Sequence, residues 1–268
     1  MTFSIYFSGL LGILVLAGLT WLVSLAKRDV SIVDSMWSVM IFASAFIYSS
    51  SVAPYWNRSS LVLTLVLLWA LRLTLYITWR NWGEPEDARY QAIRRKYEPH
   101  FALKSLGIIF VFQAFLAWII SMPLWVALTV PFEYTMFDML ALTLWMIGMI
   151  FESVGDWQLA RFKGNPANRG KVMNRGLWRY TRHPNYFGEC LIWWGFFLFV
   201  IPSGAWWAVI SPALLTFLLL KFSGVPMLEE TMVERRPAYR EYIASTNAFI
   251  PGPQKKTKPV AGPQEEIS

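Results

Sequence analysis

Residues 179–189 read RYTRHPNYFGE and run directly into the apolar stretch LIWWGFFLFV. Arg179, Arg182 and His183 are potential cationic donors. Asn185 and Glu189 stand four apart, so on a helix they share a face. Glu189 then lies about one turn inside an apolar helix. An ionisable group in that place costs roughly 2–4 kcal/mol unless it is paired or bound. A chain that gathers Arg, His, Asn, Tyr and Glu at such a boundary is set up to hold a polar ligand.

The segment before this junction points the same way. ESVGDWQLARFK places Glu152, Asp156 and Lys163 on one helical face, and a turn-rich loop, GNPANRGKVMNRG, follows. Seven basic residues fall between 161 and 182, interleaved with Gly and Asn. Lys163, Arg169, Lys171 and Arg175 are among them. Such a loop can wrap a polyanion with guanidinium forks and backbone N–H groups. Pro184 suits the first turn of a helix, which aims free N–H groups at an anion. The plainer account is charge that only keeps the loop on one side of a membrane. That account does not require Asn168, Asn174, Tyr180, Asn185, Tyr186 or Glu189.

Three further segments carry clustered polar residues. In RDVSIVDSMWSVM, Asp34 and Trp37 are about one turn apart. Asp34 reads either as a first-turn residue favoured by the helix dipole or as a buried carboxylate acting on a substrate. In RNWGEPEDARYQAIRRKY, Gly83 and Pro85 end one helix, and a short amphipathic surface helix follows from Glu86. Asp87, Tyr90 and Arg94 align along it. In PMLEETMVERRPAYREYIASTNAFIP, Glu229 and Glu230 are expected opposite Arg235, Arg236 and Arg240.

The elements that must position these residues are membrane helices. The chain is 56% hydrophobic and 15% charged, with a mean hydropathy of +0.41. Soluble domains carry about 25% charged residues. Residues 107–130 contain no charge and can cross a hydrocarbon core of about 30 Å. Seven spans are expected, at 3–26, 32–50, 59–79, 106–130, 135–157, 186–202 and 204–222. All of the 24 lysines and arginines except Arg58, Arg72 and Lys221 then fall on one side. By the positive-inside rule the N-terminus is outside and the C-terminus cytoplasmic. The net charge of +7 is thus mostly a topology signal, and nucleic-acid binding is not indicated. One cysteine, Cys190, excludes an intramolecular disulfide, and two histidines are too few for a His-rich metal site. No metal site is expected. The first apolar run lacks a basic leader and reads as an uncleaved span. Residues 1–250 read as a single all-α membrane domain with a cofactor-binding half at about 135–250, and 251–268 as a disordered cytoplasmic tail.

The RHPNYFGE run, the preceding RGLWRY, Asp156 ahead of a basic loop and the closing YREYIASTNAFIP resemble the steroid 5-alpha-reductase-like membrane proteins. The best match is their bacterial branch, the domain of unknown function 1295 family. The resemblance covers nearly the whole chain and is most specific over 174–189. A similar C-terminal motif occurs in sterol reductases and in isoprenylcysteine carboxyl methyltransferases. The resemblance implies a cavity facing the cytoplasm that binds NADPH. Asp156, Tyr180, Asn185 and Glu189 would contact the cofactor and Lys163 would sit near its phosphates. Arg169, Arg175, Arg182, His183 and Tyr186 complete the expected cofactor set. The steroid enzymes polarise their substrate with a Gln-Glu pair at the start of span two and a Tyr in span three. Here Asp34 is the nearest carboxylate, Trp69 stands opposite the Tyr, and Tyr76 and Tyr90 are the candidate replacements.

The leading expectation is a bacterial inner-membrane, NADPH-dependent reductase of a carbon–carbon double bond in a lipophilic substrate. Asp34 with a Tyr would polarise the carbonyl and supply the acid. Two alternatives stand beside it. One is a methyltransferase using S-adenosylmethionine, which carries no phosphate and so needs no basic loop. The other is a non-catalytic lipid-binding protein, which would bind no nucleotide. Membrane lipid is the expected surrounding partner. Substrate identity and oligomeric state are not legible in the sequence.

Overall fold

The computed structural model describes residues 3–52, 58–131, 133–222 and 224–255. Every regular element among them is helical. In chain order these are α1 (Phe3–Lys27), α2 (Ile32–Ser50), α3 (Arg58–Asn81), α4 (Ala88–Tyr97), α5 (Phe101–Ser105), α6 (Phe112–Ile120) and α7 (Met122–Thr129). They continue as α8 (Met136–Gly164), α9 (Pro184–Leu198), α10 (Ile210–Phe217), α11 (Val225–Arg235) and α12 (Tyr239–Ser245). A π-helical stretch, Leu106–Val111, joins α5 to α6 without a break in direction of the chain. Among the described residues, seven helical segments are long and apolar enough to cross a membrane: 3–27, 32–50, 58–81, 101–120, 136–164, 184–203 and 206–235. The protein is an all-α polytopic membrane protein.

The first two spans and the third fall within a residue or two of expectation. The fourth does not. It was expected to run 106–130, but it starts at Phe101 and stops at Ile120. Ser121 caps a new helix whose Pro123 has no N–H to donate, and the Leu124 and Trp125 amides turn back to the Ser121 carbonyl. The fifth runs further than expected, to Gly164, because its charged end is still helical, and the seventh segment reaches Arg235 because α11 follows α10.

The chain divides into two compact units, 1–145 with 193–215, and 146–192 with 216–268. In the first unit α1 packs on α2 through glycines. A Cβ on Gly9 would lie 2.3 Å from the Tyr48 ring, so only Gly allows this approach. Several polar groups in these helices find partners within the protein, as lipid favours. The Tyr6 hydroxyl donates to the Trp118 carbonyl and the Trp118 indole donates to the Tyr6 carbonyl, at 2.9 and 3.0 Å. The Ser38 and Thr74 hydroxyls meet at 2.7 Å between α2 and α3. Arg58, at the start of α3, is buried and donates to Asp138 at 2.5 Å and to the Phe199 carbonyl.

In the second unit the α8 and α9 backbones touch. A Cβ on Gly188 would sit 2.5 Å from the Gly148 carbonyl, and one on Gly155 would meet the Pro184 ring at 3.1 Å. Of the tail expected from 251, the described part is pinned. Gly252 N–H donates to the Tyr180 carbonyl and Lys255 N–H to the Ser245 carbonyl. Residues 256–268 lie outside the described residues.

Candidate functional site

Two polar clusters hold the residues singled out in the sequence, one in each unit. In the second unit, close contact of α8 and α9 brings Asp156 beside Asn185. The Asn185 amide donates to Asp156 Oδ1 at 3.2 Å, and its own oxygen accepts from the Tyr186 N–H at 3.1 Å. Asp156, Glu152 and Glu189 are all buried. Glu152 adjoins Gly188, whose missing side chain leaves room for it. Three carboxylates on two touching helices are suited to accept from hydroxyl and amide donors.

The loop between α8 and α9 is docked onto α8. The Trp178 indole donates to the Gly155 carbonyl, and the Leu177 N–H donates to Gln158 Oε1, both at 2.9 Å. Gly176 has a φ of +59° and lies against the Gln158 side chain, where a Cβ would be 2.5 Å away. Downstream, the segment from α12 onward clasps the RYTRHP run. The Arg182 N–H donates to the Asn247 carbonyl, the Thr181 hydroxyl to that of Phe249, and the Tyr242 hydroxyl to that of Trp178. Burial pushes the Tyr239 and Tyr242 hydroxyls above the ordinary tyrosine range, so both stay neutral and Tyr242 can donate.

Arg182 and His183 are buried in this clasp. The Arg182 guanidinium forks onto Glu229 at 2.7 and 3.0 Å and donates to the Ile243 and Thr246 carbonyls. His183 Nε2 is 2.9 Å from Glu229 Oε1, and its ring stacks on Tyr186 at 5.3 Å. Glu229 therefore turns to the loop, whereas the sequence pattern placed it opposite Arg235, Arg236 and Arg240. The reason is desolvation: a buried guanidinium needs a partner more than exposed arginines on α11 and beyond do.

Lys163, Arg169, Lys171 and Arg175 are exposed, as is Tyr180. Among the described residues, Arg169, Lys171 and Arg175 have no side-chain hydrogen-bond or ion-pair partner. Their loop is nevertheless fixed. Asn165 caps the turn at Ala167 N–H, Asn168 donates to the Phe162 carbonyl at 3.0 Å, and Arg236 donates to the Lys171 carbonyl at 2.6 Å.

In the first unit, α4 closes over the start of α2. Asp34 accepts from the Tyr90 hydroxyl at 2.5 Å and from the Arg89 guanidinium at 2.8 Å. Arg89 also forks onto Asp87, which caps α4. Burial, then the negative charge of Asp34, keep the Tyr90 hydroxyl above the ordinary tyrosine range. Of the two tyrosines proposed beside Asp34, the structure thus brings Tyr90 to it. The Tyr76 ring instead lies between the Arg72 and Arg80 guanidiniums, 5.5 and 5.8 Å from its centroid. Arg94 pairs with Glu86 at 2.7 Å, which also accepts from the Val30 N–H. Burial alone would raise Glu86, but Arg94 and the Val30 amide outweigh it and hold its carboxyl below the usual range.

Sequence reasoning missed Arg89 and did not link Glu229 to Arg182. Spacing within one helix carries no signal for either pair, since each joins distant segments.

Residues 20–246 match the profile of a family described as "Protein of unknown function (DUF1295)". The chain belongs to that family. The steroid 5-alpha-reductase-like resemblance is consistent with it. An uncharacterized protein of the fission yeast Schizosaccharomyces pombe, C594.04c, is 28% identical over 91% of this chain and 78% of its own length. No solved structure matches the chain.

Proposed function

We propose that this family member is an integral-membrane, NADPH-dependent reductase of a carbon–carbon double bond in a lipophilic carbonyl compound. The observation that carries the cofactor is the loop of exposed Lys163, Arg169, Lys171 and Arg175. Its backbone is tied down, while Arg169, Lys171 and Arg175 have no partner among the described residues. Cations held this way suit the phosphates of a dinucleotide. Asp156, Asn185 and Glu189 suit its ribose hydroxyl and carboxamide groups, with Tyr180 and Tyr186 as flanking rings. Arg182 and His183 hold the loop's shape through Glu229. When bound, NADPH supplies a hydride. The proton is assigned to the Tyr90 hydroxyl, oriented by Asp34, with Arg89 setting the charge of that pair. Tyr76 is a further candidate contact to the substrate carbonyl. The orientation assigned is N-terminus outside and C-terminus cytoplasmic, with the basic loops on the cytoplasmic side.

Three buried carboxylates favour a second reading, because a cationic ligand such as S-adenosylmethionine also suits them. Titrating purified protein in detergent with NADPH, NADH and S-adenosylmethionine separates the two. Saturable NADPH binding that Asn185→Ala weakens 5- to 150-fold is the expected result. Binding of S-adenosylmethionine alone would replace this reading with a methyltransferase. Binding of none would leave a lipid-binding protein.

A further inference from the structure

An apolar groove runs along α1 of the first unit. Leu14, Val15, Gly18, Leu19, Trp21 and Leu22 of α1 form one wall and Leu106 begins the other. Its volume is about 300 Å³, at the small end of ligand sites. Gly18 leaves it open, since a Cβ there would meet nothing within 4 Å. Leu106 is the first residue of the π-helical stretch Leu106–Val111, a local widening of the kind often found at functional positions.

Polar groups adjoin this groove beyond Trp21 and Leu106. The Trp21 indole donates to the Ala102 carbonyl at 2.9 Å, tying α1 to α5. Lys104 stands two residues before Leu106 and donates to the Tyr97 carbonyl at 3.0 Å, and Lys96 lies over the Tyr97 ring at 5.6 Å. Arg94 reaches the Arg28 carbonyl at 3.4 Å, which brings the end of α1 to the same place. Lys27, Arg28, Arg95, Lys96 and Lys104 are all exposed there, against the carboxylates Asp29 and Glu98. An apolar trough ending in excess positive charge has the polarity of one molecule, a lipid with an anionic head.

We propose that this groove holds one acyl chain of an anionic phospholipid whose phosphate rests against Lys27, Lys96 and Lys104. Basic side chains beside a membrane helix attract such headgroups, and their long stems reach the interface. The small groove takes one chain, so the lipid is a bound companion at the rim and not the substrate.

The test uses full-length protein in detergent. Native mass spectrometry reads binding of phosphatidylglycerol, of phosphatidylcholine with the same chains, and of glycerol phosphate. Phosphatidylglycerol should bind at least tenfold more tightly than phosphatidylcholine, and glycerol phosphate should not bind. Gly18→Leu should weaken phosphatidylglycerol at least tenfold with no loss of melting temperature in lipid-free detergent, because the new side chain enters open space and favours the helix. Lys27→Gln with Lys96→Gln and Lys104→Gln should lower phosphatidylglycerol to the phosphatidylcholine level. This triple variant decides the matter if Gly18→Leu fails to fold. Equal binding of both lipids, or phosphatidylglycerol binding unchanged in either variant, overturns the proposal. So does glycerol phosphate binding as well as the lipid, which would mark a free phosphate site. NADPH titration of the same samples is independent of each outcome.

Discussion

Glu229 shows how much one side chain decides. It is the shared partner of Arg182 and His183, and both are buried. Removing one partner of a buried pair typically costs about 3–5 kcal/mol, because a charge is left unpaired in a poor solvent. Glu229→Ala should therefore lower the melting temperature in detergent, whereas Glu230→Ala, on an exposed side chain, should not. The exposed loop cations should behave in the opposite manner. Neutralising Lys163 with Arg175 should lower melting far less than Glu229→Ala and weaken NADPH, because charge-assisted hydrogen bonds contribute about 1.5–3 kcal/mol each. If the pair grips the 2′-phosphate, NADH binding stays nearly unchanged. Equal losses for both nucleotides would place it on the pyrophosphate, and no loss would leave only a topological role for these charges.

At the scale of elements, the α8–α9 contact depends on missing side chains. Gly188→Ala places a Cβ 2.5 Å from the Gly148 carbonyl, a backbone atom that cannot swing aside. The helices must separate, and folded yield should fall. Gly164→Ala, at the end of the same α8, meets nothing within 4 Å and should be neutral or slightly stabilising. Comparable damage from both would mean that general helix chemistry, not the contact, is at work. The α4 clasp carries a pH signature. Glu86 has a folded value below its ordinary one, so its contribution is present above the ordinary carboxylate range. It is lost as pH falls through the folded value. Melting should therefore drop between neutral and acid pH by more in wild type than in Glu86→Gln. Parallel curves would show that the Glu86–Arg94 pair is not the source.

At the scale of the molecule, the basic residues and the first unit's contacts agree on which helix ends lie together. Arg58 and Asp138 join the starts of α3 and α8 to the end of α9, while Asp34 and Tyr90 join the start of α2 to the segment after α3. Spans that alternate in direction produce both groupings. A reporter fused after Ser268 should accordingly behave as cytoplasmic. A signal from the opposite side would overturn the orientation and return the basic loops to an unexplained feature.

The sequence by itself determined the class of the molecule. Long apolar runs have no folded state in water that buries them, and lipid leaves helices as the means to satisfy their backbones, so most spans were legible to within a few residues. The fourth was not, because hydropathy continues past Ser121 and only the geometry at Pro123 breaks the helix. Asn185, Asp156, Glu189 and the basic loop were candidates from residue type and local spacing, and the structure brings Asn185 to Asp156. Tertiary structure alone decided who meets whom. It gave Tyr90, and not Tyr76, to Asp34, added Arg89 to that pair, and turned Glu229 away from its helical neighbours toward Arg182 and His183. Those pairings join segments tens of residues apart, and they follow from the cost of burying a charge alone, which acts on the folded arrangement and leaves no period in the chain.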